Sequence, residues 1–293
     1  MRLLIALAVF LHGLGGLDVQ APTAGSASRA PMRIVSLAPS VTELLFALGL
    51  GDRVVGVTSY CRYPPEVIRI PKIGGYLTPS YEALASLRPD LAILLPEHDE
   101  VRGRVEALGI QVLRLDQTSV AGILGSATAT GERCGAARQA ASLRAELQTQ
   151  LDQIAHTIAG RSRPRVVICM GRNADPNGFR SMSAAGPGGI YDDLIARAGG
   201  TNAIGPGPIL HPSLSAEALL RIDPDAIVEF APGSGPPERL QAGWRSLSSL
   251  RAVRTGRVYI FTQDFLTIPG PRLIRFVGEL ARVLHPDAAW RHP

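Results

Sequence analysis

Glu82-Ala83-Leu84, followed by Pro89-Asp90 and Ile93, returns in the second half of the chain as Glu217-Ala218-Leu219, Pro224-Asp225 and Val228. The spacing is the same in both copies. A weaker echo sets Glu43-Leu44-Leu45 and Gly49 against Asp193-Leu194-Ile195 and Gly199. Pro-Asp turns between a helix and a strand are common in α/β proteins. Agreement of the whole set at one offset, however, reads as duplication of a lobe.

Outward from the first copy, short apolar runs alternate with helical stretches. Arg33-Ile34-Val35-Ser36-Leu37 reads as a strand. Ser40 and Glu43 then form a capping-box pattern for a helix over Val41–Leu48, which stops at Gly49. Arg53–Thr58 is a second strand, and a helix starts near Pro79-Ser80. Leu91–Leu95 is a buried-type strand, Val101–Leu108 a helix and Ile110–Leu115 a strand. This alternation predicts a mostly parallel sheet covered on both faces.

From Gly135 to Gly160 there is no proline and no strand-like run. Ala140, Leu143, Leu147, Leu151, Ile154 and Ile158 recur at steps of three and four, the helical period. The expectation is one helix of about 25 residues, about 37 Å long. Strand-like sequence resumes at Arg165–Met170. The predicted organisation is a signal segment at 1–30, an α/β lobe at 32–133, a connecting helix at 134–161 and a second lobe at 164–293. The fold class is therefore α/β: two Rossmann-like lobes with mostly parallel sheets, joined by one long helix, with a cleft between them.

Arg2 precedes the apolar run Leu3–Leu11, and small residues gather at Ala21, Ala24, Gly25, Ser26, Ala27 and Ala30. That order reads as a secretory signal peptide, with the mature chain starting between Pro22 and Met32. The run is short for a membrane anchor. No cysteine lies near its end to take a lipid. The expected location is periplasmic, with the protein soluble after removal of the signal.

The 293 residues suit two domains, and 46% hydrophobic residues allow each its own core. Mean hydropathy is only +0.14, unlike a polytopic membrane protein. The net charge of +5 is carried by scattered arginines, Lys72 being the single lysine, and aromatic residues make up 5%. A nucleic-acid binder would instead show a basic stripe with interleaved aromatics. An oxidising compartment permits disulfides. Cys61 and Cys134 are the pair available to bridge, while Cys169 sits in an apolar run and reads as a core thiol.

In open α/β sheets, ligands collect at the carboxyl ends of the strands. There the sequence places Tyr60, Tyr76, Phe179, His211 and Phe265, with Arg172 to face an anionic group and Asp264 beside them. Aromatic walls with a few polar groups suit a large, flat, partly apolar ligand. Packing of each ring against its own lobe is the plain alternative. Motifs of catalysis are missing: there is no G-x-S-x-G elbow, no phosphate loop and no H-E-x-x-H. Glu97-His98-Asp99-Glu100 is a polar cluster with metal-binding residue types, though such clusters more often start a solvated helix.

Three segments carry a family resemblance: Arg33–Ser40 with Thr42-Glu43, Gly56–Pro65, and Leu87–Leu91. They resemble the periplasmic binding proteins of cobalamin, haem and iron-siderophore ABC importers, closest to the vitamin B12-binding branch. The resemblance spans about residues 32–285. It implies a class III binding-protein fold, no catalysis and no bound cofactor or structural metal. It also implies a monomer that carries a corrinoid to membrane permease subunits, with haem and ferric siderophore as alternatives. Nucleic acid is not an expected partner. Glu82 and Glu217 fall where the family has one transporter-docking glutamate per lobe. Tyr60, Tyr76, Phe179 and His211 lie near the family's ligand-facing aromatics. The chain departs in carrying Tyr76 and His211 where Trp is common. A Tyr and a His across a cleft are also haem-iron ligand types.

Overall fold

The computed structural model describes residues 30–175 and 178–290. The signal segment read at 1–30 lies outside the described residues, apart from Ala30. The first lobe is built on β1 (Ile34–Ser36), β2 (Val54–Val57), β3 (Leu91–Leu94) and β4 (Gln111–Arg114). They form a fully parallel sheet in the order β2-β1-β3-β4. Every residue of β1 and β3 is buried, as expected for inner strands covered on both faces. The covering helices include α1 (Pro39–Ala47), α2 (Tyr81–Leu87) and α3 (Asp99–Ala107). The cap of α1 is not the one expected. Ala38 is the N-cap, Pro39 fills the first turn, and Glu43 points away to another partner.

Two helices lie between β4 and β5 (Arg165–Asp175). α4 (Val120–Cys134) ends at Gly135, whose φ of 68° is the left-handed conformation that stops a helix. α5 (Ala137–Thr157) then runs for 21 residues. It buries Ala140, Leu143, Leu147 and Leu151, the stripe that the spacing had marked. α4 and α5 cross closely at Gly131: a Cβ there would lie 2.5 Å from the Ala140 Cβ and 3.0 Å from the Ala136 carbonyl oxygen.

The second lobe holds β5 (Arg165–Asp175), β6 (Gly178–Ala184), α6 (Ile190–Arg197), β7 (Thr201–Asn202), β8 (Ser213–Ser215) and α7 (Ala216–Ile222). β9 (Ala226–Phe230), α8 (Pro237–Ala242), α9 (Arg251–Arg254), β10 (Val258–Phe261) and α10 (Pro271–Leu284) complete it. Its sheet has the order β10-β9-β5-β6-β8, with β7 beside β5. Pairing is parallel from β10 to β5 and antiparallel from β5 to β8. Phe179, read from the sequence as lying at a strand end, therefore sits within a strand. Met182 and Ala184 turn inward while Ser183 faces solvent, the period-two pattern of a half-exposed antiparallel strand.

The sequence repeat is a repeat of hydrogen bonds. Ser80 caps α2 by accepting from the Ala83 N–H at 3.2 Å, and Ser215 caps α7 from the Ala218 N–H at 3.2 Å. Both helices end on a left-handed residue, Arg88 at φ 45° and Asp223 at φ 40°. The Asp of each Pro-Asp turn then accepts backbone N–H groups where its lobe's first strand begins. Asp90 takes Met32 and Arg33 at 2.9 and 3.0 Å, and Asp225 takes Arg165 at 2.8 Å.

One apolar core runs through both lobes by way of α4, α5, α6 and α10. Cys61, Cys134 and Cys169 are all buried free thiols. Among the described residues, no helix is long and apolar enough to cross a membrane. The α4–α5 contact yields a direct expectation. Gly131→Ala overpacks the crossing and lowers the unfolding free energy by about 1–3 kcal/mol, measured by chemical denaturation. Gly125→Ala, on the same helix with open space around it, is neutral or stabilising.

Candidate functional site

The carboxyl ends of the parallel strands meet across the interlobe cleft. Ala38–Ser40 follow β1, Tyr60–Tyr63 follow β2, Leu95–Glu97 follow β3 and Gln117 follows β4; from the other lobe come Pro232-Gly233 after β9 and Asp264–Pro269 after β10. They enclose two cavities of about 850 and 620 Å³ that share Tyr76, Thr267 and Pro269 as walls. Each is large enough for a small molecule, so a ligand spanning both is well above drug size.

The loops at the rim are pinned by buried polar contacts. The Thr42 hydroxyl donates to Ser36 Oγ at 2.8 Å, and Cys61 Sγ lies 3.1 Å from Thr42 Oγ1 and 3.2 Å from Thr58 Oγ1. These bonds fix the turn from which Tyr60 projects, 60% exposed, into the first cavity.

Arg272, at the start of α10, forms the floor of that cavity. Its guanidinium forks onto Glu43 of the first lobe, with Nε to Oε2 at 2.9 Å and Nη2 to Oε1 at 2.5 Å. Nη1 donates to Asp264 at 3.0 Å, and the group lies 3.8 Å from the Tyr63 ring centroid and 5.0 Å from that of Phe265. The Arg272 and Glu43 side chains are only 15% and 3% exposed. Burial pushes the Glu43 carboxyl upward and Arg272 opposes that shift. Both Glu43 oxygens accept from the permanently charged guanidinium, the bonding pattern of a carboxylate–guanidinium pair.

The second cavity is lined by Tyr76, Glu97, Gln117, Met170, Tyr191 and His211, among others. Burial, with Glu97 adding to it, pushes the Tyr76 phenol up to about 12, so it stays neutral at ordinary pH. Burial raises the Tyr191 phenol further, and its hydroxyl donates to the Leu266 carbonyl at 3.1 Å. The exposed His211 ring sits edge-on to Tyr191 at 6.4 Å, on a loop held by the Gly186 N–H to Leu210 carbonyl bond of 2.8 Å.

Tyr76 is set in place by His98. The Leu95 N–H donates to Nδ1 at 3.0 Å, so the proton of the neutral ring resides on Nε2. Nε2 donates in turn to the Tyr76 carbonyl at 2.9 Å, and the two rings meet edge to face at 4.7 Å. Burial lowers the His98 pKa. Two members of the cluster Glu97-His98-Asp99-Glu100 are thus committed to structure: both imidazole nitrogens of His98 hold backbone, and Asp99 pairs with Arg114 at 2.8 and 3.0 Å. Among the described residues no group of three or more His, Cys, Asp or Glu is placed to hold a metal ion.

Of the residues singled out in the sequence, Tyr60, Tyr76, His211 and Asp264 line the cleft. Arg172 and Phe179 do not. Arg172 lies on β5 in a buried pair with Glu229 at 3.1 Å, with Nη2 to the Leu240 carbonyl at 2.9 Å. The Trp244 indole donates to the other Glu229 oxygen at 2.7 Å, and Phe179 packs on Trp244 at 5.5 Å. Both were displaced from the site because β5 continues past Met170, the strand end expected from the sequence, and pairs with β6. Phe265 stacks on Arg272 behind the cavity wall. Glu82 and Glu217 are exposed on the first turns of α2 and α7, away from both cavities, and Glu217 pairs with Arg221 at 2.6 Å. Glu43, Tyr63, Gln117, Tyr191 and Arg272 were not foreseen. Tyr63 had a signal in its closeness to Tyr60, and Arg272 one in its place directly after Pro269-Gly270-Pro271.

The profile of the periplasmic binding protein family matches residues 34–265. The chain is 32% identical to an uncharacterised ABC-transporter substrate-binding lipoprotein of Bacillus subtilis, over 88% of this chain and 82% of that protein. It is 27% identical to the vitamin B12-binding protein of Salmonella choleraesuis, over 87% of this chain and 91% of that one. Its fold is similar to that of the periplasmic haem-binding protein BhuT in complex with two haems, with a TM-score of 0.75 at 27% identity, covering 87% of this chain and 98% of that one.

Two stability measurements follow from the geometry. Arg272→Met strands Glu43 in the interior and costs about 3–5 kcal/mol in denaturant unfolding, while the double variant with Glu43→Gln recovers a large part of the loss. His98 has its folded pKa depressed, so the unfolded chain binds the proton more tightly. Its contribution is present above about pH 6.5 and is lost as pH falls below that value. Wild-type protein therefore loses stability between neutral and mildly acidic pH. His98→Gln loses less over the same range, because residues titrating in both proteins, buried His285 included, cancel in the comparison.

Proposed function

The chain belongs to the periplasmic binding protein family, and we propose that it captures a corrinoid in the interlobe cleft and carries it to the membrane subunits of an ABC importer. The observation that carries this reading is the pair of contiguous cavities walled by Tyr60, Tyr63, Tyr76 and Tyr191. Aromatic faces supply apolar area for a flat macrocycle, and Asp264, Gln117 and Thr118 supply polar contacts for its rim. The continuous core between lobes favours a preformed cleft, so little ordering cost opposes binding. The 27% identical vitamin B12-binding relative supports the choice of ligand.

Delivery rests on Glu82 and Glu217. Each is an exposed carboxylate on a helix capped in the same way, one per lobe, suited to paired basic pockets on a two-subunit permease. Such a role places the protein outside the cytoplasmic membrane, in keeping with the family.

Haem is the second reading. Tyr76 and His211 line the same cavity, and both are iron-ligand types. The similarity to the haem-binding protein supports it. The neutral phenol of Tyr76 is better suited, before any metal arrives, to packing and hydrogen bonding than to anionic ligation.

Calorimetric titration of the purified protein with cyanocobalamin, and with hemin in parallel, tests the proposal. Saturable one-to-one binding of cyanocobalamin is expected, weakened at least tenfold in Tyr76→Ala. Glu82→Ala with Glu217→Ala leaves that affinity within twofold but abolishes ligand delivery to the reconstituted importer. No heat with cyanocobalamin and a Soret shift with hemin, lost in His211→Ala, moves the ligand to haem. Silence with both overturns a tetrapyrrole-class ligand.

A further inference from the structure

Gln117 is 3% exposed, and neither its amide oxygen nor its amide nitrogen has a hydrogen-bond partner. A buried amide left unpaired at both ends is costly and rare. Nothing in the local backbone requires it. Asp116 closes its own turn through the Thr118 N–H and hydroxyl at 2.9 and 2.7 Å, and Ser119 caps α4 through the Gly122 N–H at 3.0 Å. The main chain on both sides is fixed, and the side chain between them forms part of the wall of the second cavity, beside Tyr76, Met170 and His211.

We propose that Gln117 reads a primary amide of the ligand and makes the second cavity selective for an amide-bearing macrocycle over a carboxylate-bearing one. An amide side chain offers one acceptor and one two-proton donor. A ligand group that completes both must itself donate and accept, which a carboxamide does. An ionised carboxylate or an ester only accepts, and leaves the glutamine oxygen unpaired. The charge of the cavity points the same way. Its lining contains the Glu97 carboxylate and no arginine or lysine, whereas the first cavity contains Arg62 and Arg272. A ligand carboxylate in the second cavity would meet an anion and no fixed cation. A change of rotamer at the unbranched Cβ and Cγ carries the amide from the wall into the cavity when a partner is present, and the broad terminal torsion then matches its oxygen and nitrogen to that partner. This selectivity rests on the corrinoid reading, since a corrin carries primary amides on its rim and haem carries carboxylates.

The test compares dicyanocobinamide with the heptamethyl ester of dicyanocobyrinic acid, in which esters replace the amides, by calorimetry on the full chain. Wild-type protein is expected to bind the amide form at least tenfold tighter. Gln117→Met is expected to reduce that preference to within twofold by weakening the amide form alone. Without ligand, it melts no lower than wild type, because an unpaired polar group has been removed. Equal affinity of wild type for the two corrinoids overturns the proposal without recourse to any variant. So does Gln117→Met that keeps the preference, or that melts lower and weakens both ligands alike, which would make Gln117 a structural residue. In these cases the corrinoid reading stands. If wild type binds neither corrinoid, that reading falls and the proposal falls with it.

Discussion

The cleft exists because two lobes are held at one angle by packing that neither lobe supplies alone. α10 packs on α5 and α6, lays Phe276 edge-on against Phe230 and Phe261 of the second sheet, and reaches α1 of the other lobe. At that reach sits the Glu43–Arg272 pair. A buried ion pair adds little net stability by itself, but it tolerates only one geometry, because either charge without the other is strongly unfavourable. The apolar core sets how near the lobes come, and the ion pair sets their register. The Tyr63 ring over Arg272 extends the same contact to the cavity surface.

On this frame, the site is made of loops that have lost their freedom. Cys61, His98 and Gly186 hold the segments carrying Tyr60, Tyr76 and His211 through short polar contacts with main chain or hydroxyls. Rings fixed beforehand meet a ligand without further ordering, which is how a shallow set of contacts can give useful affinity. The two cavities differ in electrostatics. One has arginines at its floor and rim, and the other has a lone carboxylate and an unpaired amide. A single large ligand spanning both would be oriented by that asymmetry.

Much of the architecture was legible before the structure. The Pro-Asp repeat was visible because each copy performs the same bonding task, an Asp receiving the N–H groups at the start of a strand. The stripe Ala140, Leu143, Leu147 and Leu151 was visible because burial on one helix face imposes a period. Tyr60, Tyr76, His211 and Asp264 followed from the rule that strand ends carry ligands. The rule failed at Arg172 and Phe179, where an antiparallel extension moved the strand ends. That extension alternates Ser with Met and Ala over few residues, a weak signal beside glycine-rich neighbours.

By itself, the sequence determined the α/β class, the duplication, the helical connection and part of the aromatic rim, since these depend on local period, capping and turn chemistry. The tertiary structure alone decided which charges meet. Glu43 and Arg272 lie far apart in the chain, and no local pattern links them. Arg172 found Glu229 rather than the cleft for the same reason. Gln117 reads as an ordinary loop residue until folding removes its water and leaves its amide against a cavity wall. Pairing and desolvation depend on distances between segments, which the order of residues does not contain.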